Sequence, residues 1–129
     1  MTRTLAIAAA MAAAVTGLAQ AQDAGAGKDV FKKCASCHAV GEGAKSTISG
    51  PVLNGLEGRQ AGSVTGFDYS AQNKKSSLTW DRATFLDYIK DPKAKIPDTY
   101  MVFPGIKNEG EAADLWAYLR QFGPDGKMK

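Results

Sequence analysis

One histidine and two cysteines are all that this chain of 129 residues offers as imidazole or thiolate ligands. A structural zinc site takes four such groups, so a Cys/His zinc site cannot be completed. Strict apolar–polar alternation is missing throughout, so no strand is expected. With no strand there is no βαβ setting for a thioredoxin-like cysteine pair. Charge of one sign is also scarce, with 16 Lys+Arg against 13 Asp+Glu. That balance gives nucleic acid no basic surface to grip, and it is not expected as a partner. No apolar run reaches the roughly 18–20 residues that a membrane-spanning helix needs.

The longest apolar stretch, Leu5 to Leu18, is alanine-rich and 14 residues long. Arg3 stands before it as a short positive region, and Ala19-Gln20-Ala21 supplies small residues for a signal peptidase. Residues 1–21 therefore read as a cleaved secretory signal rather than an anchor, with cleavage after Ala21 and a periplasmic destination. A single domain of 108 residues, 22–129, would remain. Losing Arg3 leaves 15 basic against 13 acidic side chains, a formal charge of +2. Electrostatic steering must then come from where the lysines sit.

Both cysteines and the histidine fall in one pentapeptide, Cys34-Ala35-Ser36-Cys37-His38. Two thiols at this spacing, followed at once by an imidazole, form the attachment signature of a c-type haem. The sulfurs can add across the two porphyrin vinyl groups, and His38 can supply a proximal nitrogen to the iron. A plain disulfide between Cys34 and Cys37 would leave His38 without a purpose.

Helical periodicity appears in three places. Gly27, Val30, Phe31 and Cys34 form one apolar stripe, with Asp23 as a candidate N-cap, and this helix delivers the cysteines and His38 at its end. Gly27 costs about 0.8–1.0 kcal/mol there against alanine, which points to close approach of a second helix. A second helix is expected over Trp80 to Lys90, capped by Thr79 and stopped by Pro92. The last starts after Asn108, with Glu111 at the capping-box position, buries Ala112, Leu115, Trp116 and Leu119, and ends before Gly123-Pro124.

Between Ala39 and Leu78 lie seven of the fourteen glycines and no sustained period. Asp91 to Lys107 also reads as loop. So much irregular chain argues against a compact domain unless something else supplies a core. A buried flat prosthetic group resolves the conflict. The fold expected is all-α, three main helices plus long loops wrapped around one covalently bound haem.

A second axial ligand has few sources. With no second histidine, methionine sulfur is the usual donor. Met1 and Met11 leave with the signal, and Met128 is penultimate in a lysine-rich tail. Met101 remains, in a loop stiffened by Pro97 and Pro104; its alternative role is to fill core space, as most methionines do. A His/Met pair closes the iron, which favours passing electrons over binding oxygen or peroxide, and so favours a carrier over an enzyme.

Several motifs, in order along the chain, carry a family resemblance. They include Phe31 to His38, Gly50-Pro51-Val52-Leu53-Asn54-Gly55-Leu56, Gly58-Arg59, Gly66-Phe67-Asp68-Tyr69-Ser70 and Trp80. Lys93 to Pro97, Met101 to Lys107 and Ala117-Tyr118-Leu119 continue the series. Together they resemble a class I cytochrome c, in the short bacterial cytochrome c-two form. The resemblance implies Cys34 and Cys37 as thioether cysteines, with His38 and Met101 as axial ligands. It implies that the Pro51 carbonyl accepts the proton of the other histidine nitrogen. Arg59, Tyr69 and Trp80 would hold the haem propionates; Asn73, Tyr88 and Thr99 would lie on the methionine side, and Phe103 beside the exposed haem edge. Gly27 and Phe31 would meet Leu115 and Tyr118.

Such a protein would be a monomeric one-electron carrier, taking electrons from a cytochrome bc complex and passing them to a terminal oxidase or photosynthetic reaction centre. Service to one dedicated periplasmic dehydrogenase shares the same chemistry. An open-iron haem enzyme or gas-binding cytochrome is the alternative from another class. Docking is expected through Lys33, Lys93, Lys95 and Lys107, with Lys32 and Lys45 nearby. Asp98 stands where the family often has glycine; were the backbone left-handed there, aspartate is among the few other residues that tolerate it. Tyr100 stands where it often has lysine, which removes a charge from the rim.

Overall fold

A computed structural model describes residues 22–129; the predicted signal, 1–21, lies outside them. Five helices follow in order, α1 Ala24–Phe31, α2 Ala71–Lys75, α3 Arg82–Lys90, α4 Pro92–Lys95 and α5 Glu109–Leu119. Among the described residues no strand forms, and the only bridges are isolated ones, Gln60 with Thr79 and Phe122 with Met128. Three longer helices and extended loops are the all-α arrangement expected from the sequence.

The caps explain where each helix begins. Asp23 accepts from the Ala26 amide and starts α1. Asn108 accepts from the Glu111 amide at 2.9 Å and starts α5. Only that half of the capping box forms, because the Glu111 carboxylate turns to Lys33 at 3.2 Å. α3 differs from expectation: its N-cap is Asp81, which accepts from Thr84, and not Thr79. Thr79 and Trp80 instead extend alongside another segment, with the Trp80 amide on the Arg59 carbonyl and the Gly58 amide on the Trp80 carbonyl. Two short helices arise inside stretches that lack periodicity. Ser70 caps α2 through Asn73, and Asp91 caps α4 with Pro92 in its first turn, where a missing amide proton costs nothing.

α1 and α5, from opposite ends of the chain, make the tightest helix contact. A Cβ added at Gly27 would lie 2.6 Å from the Asp114 carbonyl carbon and 2.8 Å from Tyr118 Cβ. The costly glycine is thus the contact point, and Phe31 stacks on Tyr118 beside it at 5.6 Å. Ala112, Leu115, Trp116 and Leu119 are each 1% exposed, as their spacing predicts. Past Phe31 the chain continues in tight turns, and the His38 amide still bonds the Cys34 carbonyl at 2.9 Å. The pentapeptide is therefore held as a rigid extension of α1.

Candidate haem site

Helices and loops enclose a largely apolar cleft that is partly open to solvent. Ten of the expected site residues line it: Cys34, His38, Pro51, Arg59, Tyr69, Asn73, Trp80, Tyr88, Thr99 and Met101. Cys37 adjoins it as a half-buried thiol and Phe103 packs against the core, but neither contributes to the lining.

His38 is positioned from two sides. Its Nδ1 donates to the Pro51 carbonyl at 2.7 Å. Burial holds the ring below the ordinary histidine range, so at neutral pH it is the uncharged imidazole. With the proton fixed on Nδ1, the Nε2 lone pair is available as a ligand. Gly50 makes this possible, since a Cβ there would lie 2.6 Å from the Cys37 carbonyl and 2.8 Å from the ring. Thr47, which the sequence did not single out, ties the turn together. Its hydroxyl donates to the Cys37 carbonyl at 2.9 Å and accepts from the Ser49 and Gly50 amides.

Met101 is held with equal care. Tyr88 Oη donates to Met101 Sδ at 3.2 Å, and the Met101 amide donates to Thr99 Oγ1 at 3.3 Å. Burial pushes the Tyr88 phenol up, keeping it protonated as a donor. Asp98 has φ 60°, a left-handed backbone that aspartate tolerates at a position where the family often has glycine.

The Cys34 thiol is 9% exposed and pushed up to about 11 by burial, with Cys37 adding and Lys33 opposing. A thiol kept neutral inside the fold makes a poor exchange nucleophile, which speaks against a redox dithiol and suits a permanent thioether.

Three further side chains bear on the fit to a haem. Arg59 is half-buried at the cleft, spends Nη1 on the Val52 and Asn54 carbonyls, and pairs with no carboxylate among the described residues. Burial lowers its pKa and Tyr69 opposes that shift. A desolvated cation without an anion calls for one from a ligand, as a propionate provides. Tyr69 Oη accepts from the Val64 amide at 3.1 Å, which leaves its own proton to donate. Asn73 Oδ1 is a buried acceptor with no partner. The residues fit the group.

The sequence profile of the cytochrome c family matches residues 24–123. The chain belongs to the cytochrome c family. A cytochrome c2 of Rhodoplanes tepidamans is 65% identical over 108 residues, covering 84% of this chain and all of that one. The cytochrome c-550 of Bradyrhizobium diazoefficiens is 58% identical over 106 residues, 82% of this chain and 77% of that one. Among solved structures, cytochrome cH from Methylobacterium extorquens superposes with a TM-score of 0.72 at 42% identity, over 77% of this chain and 98% of that one. These similarities are those of a class I, bacterial cytochrome c2 type with a covalently bound haem c. No helix among the described residues is long and apolar enough to cross a membrane.

Several residues that line the cleft had another reading in the sequence. Leu53, Leu56 and Phe67 stood out only as members of the family motifs, Phe85 and Ile89 only as positions inside the second expected helix, and Leu115 and Leu119 as a helix stripe. Ser49 and Gly62 carried no signal, Ser70 only closed a family motif, and Tyr100 stood out only as a departure from the family's lysine. The expected docking lysines are less free than their number suggests. Lys33 pairs with Glu111 at 3.2 Å, Lys95 with Asp87 at 2.6 Å, and Lys107 Nζ donates to the Lys90 carbonyl. Lys93, exposed at the α4 turn, has no partner among the described residues.

Proposed function

We propose that this cytochrome c is a periplasmic one-electron carrier whose haem iron is held between His38 and Met101. When bound, the haem supplies a metal that cycles between two oxidation states at a potential raised by methionine sulfur. The supporting observation is the shared cleft. It gathers an imidazole whose proton is committed to Pro51 and a thioether whose sulfur is oriented by Tyr88. With both side chains braced from behind, neither needs to move when the charge changes, which suits electron transfer. Cys34 and Cys37 fix the group covalently, and Arg59, Tyr69 and Trp80 receive its carboxylates. With His38 and Met101 both holding the iron, the chain would act as a carrier and not as an oxygen- or peroxide-handling enzyme.

Electrons would arrive from a cytochrome bc complex and leave to a terminal oxidase or a reaction centre. Contact would be at the cleft mouth, with Lys33, Lys93, Lys95 and Lys107 as the cationic rim. Export after Ala21 would place the chain where those complexes present their soluble faces.

The ligand assignment is tested by the weak far-red absorption of ferric iron bound to methionine sulfur. It should be present in the holoprotein at neutral pH and lost in Met101→Ala, with a lower midpoint potential. A band that survives the substitution, or is missing from the wild type, overturns the assignment.

A further inference from the structure

Four large hydrophobic side chains are exposed among the described residues: Ile48, Tyr100, Val102 and Met128. Met128 lies in the C-terminal tail. The other three come from distant parts of the chain and all attach to the cleft. Tyr100 lines it, Ile48 precedes the lining residue Ser49, and Val102 follows Met101. Ile48 is 101% exposed and Val102 88%, so neither has found a place in the core. Exposed apolar groups on or next in the chain to the lining of a functional cleft point to an interaction surface.

The charges beside them are close to cancelled. From Asp91 to Lys107 the methionine loop carries Lys93, Lys95 and Lys107 against Asp91 and Asp98. Asp87, paired with Lys95, brings the balance to three against three. Lys33 is likewise matched by Glu111. A paired charge acts at a distance as a small dipole, and within about 8–10 Å salt screens what remains. Lys93 and Lys107, and Lys45 close to Ile48 in the chain, have no acidic partner among the described residues, so a small positive charge is left for steering. The three apolar side chains expose on the order of a few hundred Å². That is below the roughly 600 Å² per partner at the low end for a stable dimer, and suits a brief encounter.

We infer that docking at the cleft mouth rests on apolar contact by Ile48, Tyr100 and Val102, and that the partner is a redox protein presenting a largely apolar, weakly acidic surface. This deepens the carrier reading above and rests on it. Lysines orient the approach weakly; desolvation of the three side chains holds the encounter. The salt dependence of the reaction is then shallow, unlike that of a lysine-ring contact.

The test measures second-order reduction of the ferric holoprotein by quinol-reduced membranes of the host, across ionic strength. Ascorbate serves as a reductant that needs no docking. Ile48→Ser and Val102→Ser should each slow reduction by membranes about fivefold at low and high salt alike. Both should leave the ascorbate rate, the midpoint and the far-red band unchanged, and Met128→Ser should change nothing. Serine variants that react at the wild-type rate overturn the apolar docking surface, as does a steep salt dependence abolished by Lys33→Gln. Membranes that fail to reduce the wild type, while ascorbate succeeds, overturn the carrier reading itself. A wild type that sediments as a dimer, or binds phosphatidylglycerol vesicles, and loses that property in Val102→Ser assigns the patch elsewhere and also overturns the inference.

Discussion

Replacing Gly27 by alanine sets two effects of opposite sign against each other. Alanine is the better helix former, and inside α1 it would contribute about 1 kcal/mol. Its methyl, however, would fall 2.6 Å from the Asp114 carbonyl carbon and 2.8 Å from Tyr118 Cβ. Asp114 presents backbone, which no rotamer change can move. Reaching an ordinary carbon contact of about 3.5 Å requires α1 and α5 to part by on the order of 1 Å, which forfeits a quarter to half of each dispersion contact between them. The Phe31–Tyr118 stack and the bond from the Asp23 amide to Asp114 Oδ1 at 3.0 Å lie in that interface. Overpacking of this kind costs about 3 kcal/mol, at the upper end of its usual range, so the net loss is about 2 kcal/mol. In guanidinium chloride, with a slope of about 3 kcal/mol/M, the unfolding midpoint of the ferric holoprotein falls by about 0.7 M. Far-UV circular dichroism reads it. Gly25→Ala is the matched control in the same helix, because its methyl meets only Asp23 Oδ1, at 3.2 Å. That midpoint stays put or rises. Equal midpoints for the two variants would show that the α1–α5 contact yields freely, and would refute the packing account of Gly27.

Two further outcomes follow from the methionine side. Tyr88→Phe removes the donor to Met101 Sδ and costs about 1 kcal/mol at neutral pH. Burial raises the Tyr88 phenol in the folded chain, so its contribution is complete below the unfolded value of about 10 and is lost as pH rises through the folded one. The variant's midpoint therefore declines less steeply than the wild type's in alkaline titrations; parallel curves would contradict this. Asp98→Gly relieves a backbone at φ 60° and raises Tm by about 3 °C, or about 0.5 kcal/mol, by calorimetry. An unchanged or lower Tm would mean the aspartate makes a contact worth more than the strain.

What could be read from the sequence was what is encoded locally. The haem pentapeptide, the Asp23 and Asn108 caps and the stripe through Leu115 and Leu119 each lie within a few turns of chain, and each forms as expected. α2 and α4 were missed because five and four residues are too few to show a period. Their caps, Ser70 and Asp91, were the available signal. Thr79 was taken for a cap because its pairing with the Arg59–Gln60 segment, some twenty residues away, leaves no local mark. The Pro51 contact and the question of a left-handed backbone at Asp98 came only through resemblance to a family. Thr47 escaped both routes, since a surface-loop threonine gives no hint that it spans a turn to reach a cysteine carbonyl. Nor did the lysines reveal that Lys33 and Lys95 are matched by nearby acids.

The α1–α5 contact also sets an order of events. Its partners are far apart in the chain: Asp23 reaches a residue 91 positions on, and Lys33 one 78 positions on. An isolated helix of eight residues is not stable in water, so α1 has no lasting structure until Glu109–Leu119 is available to it. A chain that emerges from its N-terminus therefore carries Cys34, Cys37 and His38 in solvent throughout the passage of everything behind them. The Cys34 thiol, which burial makes inert once the chain has folded, is open to chemistry during that interval, and arrival of the last helix closes it.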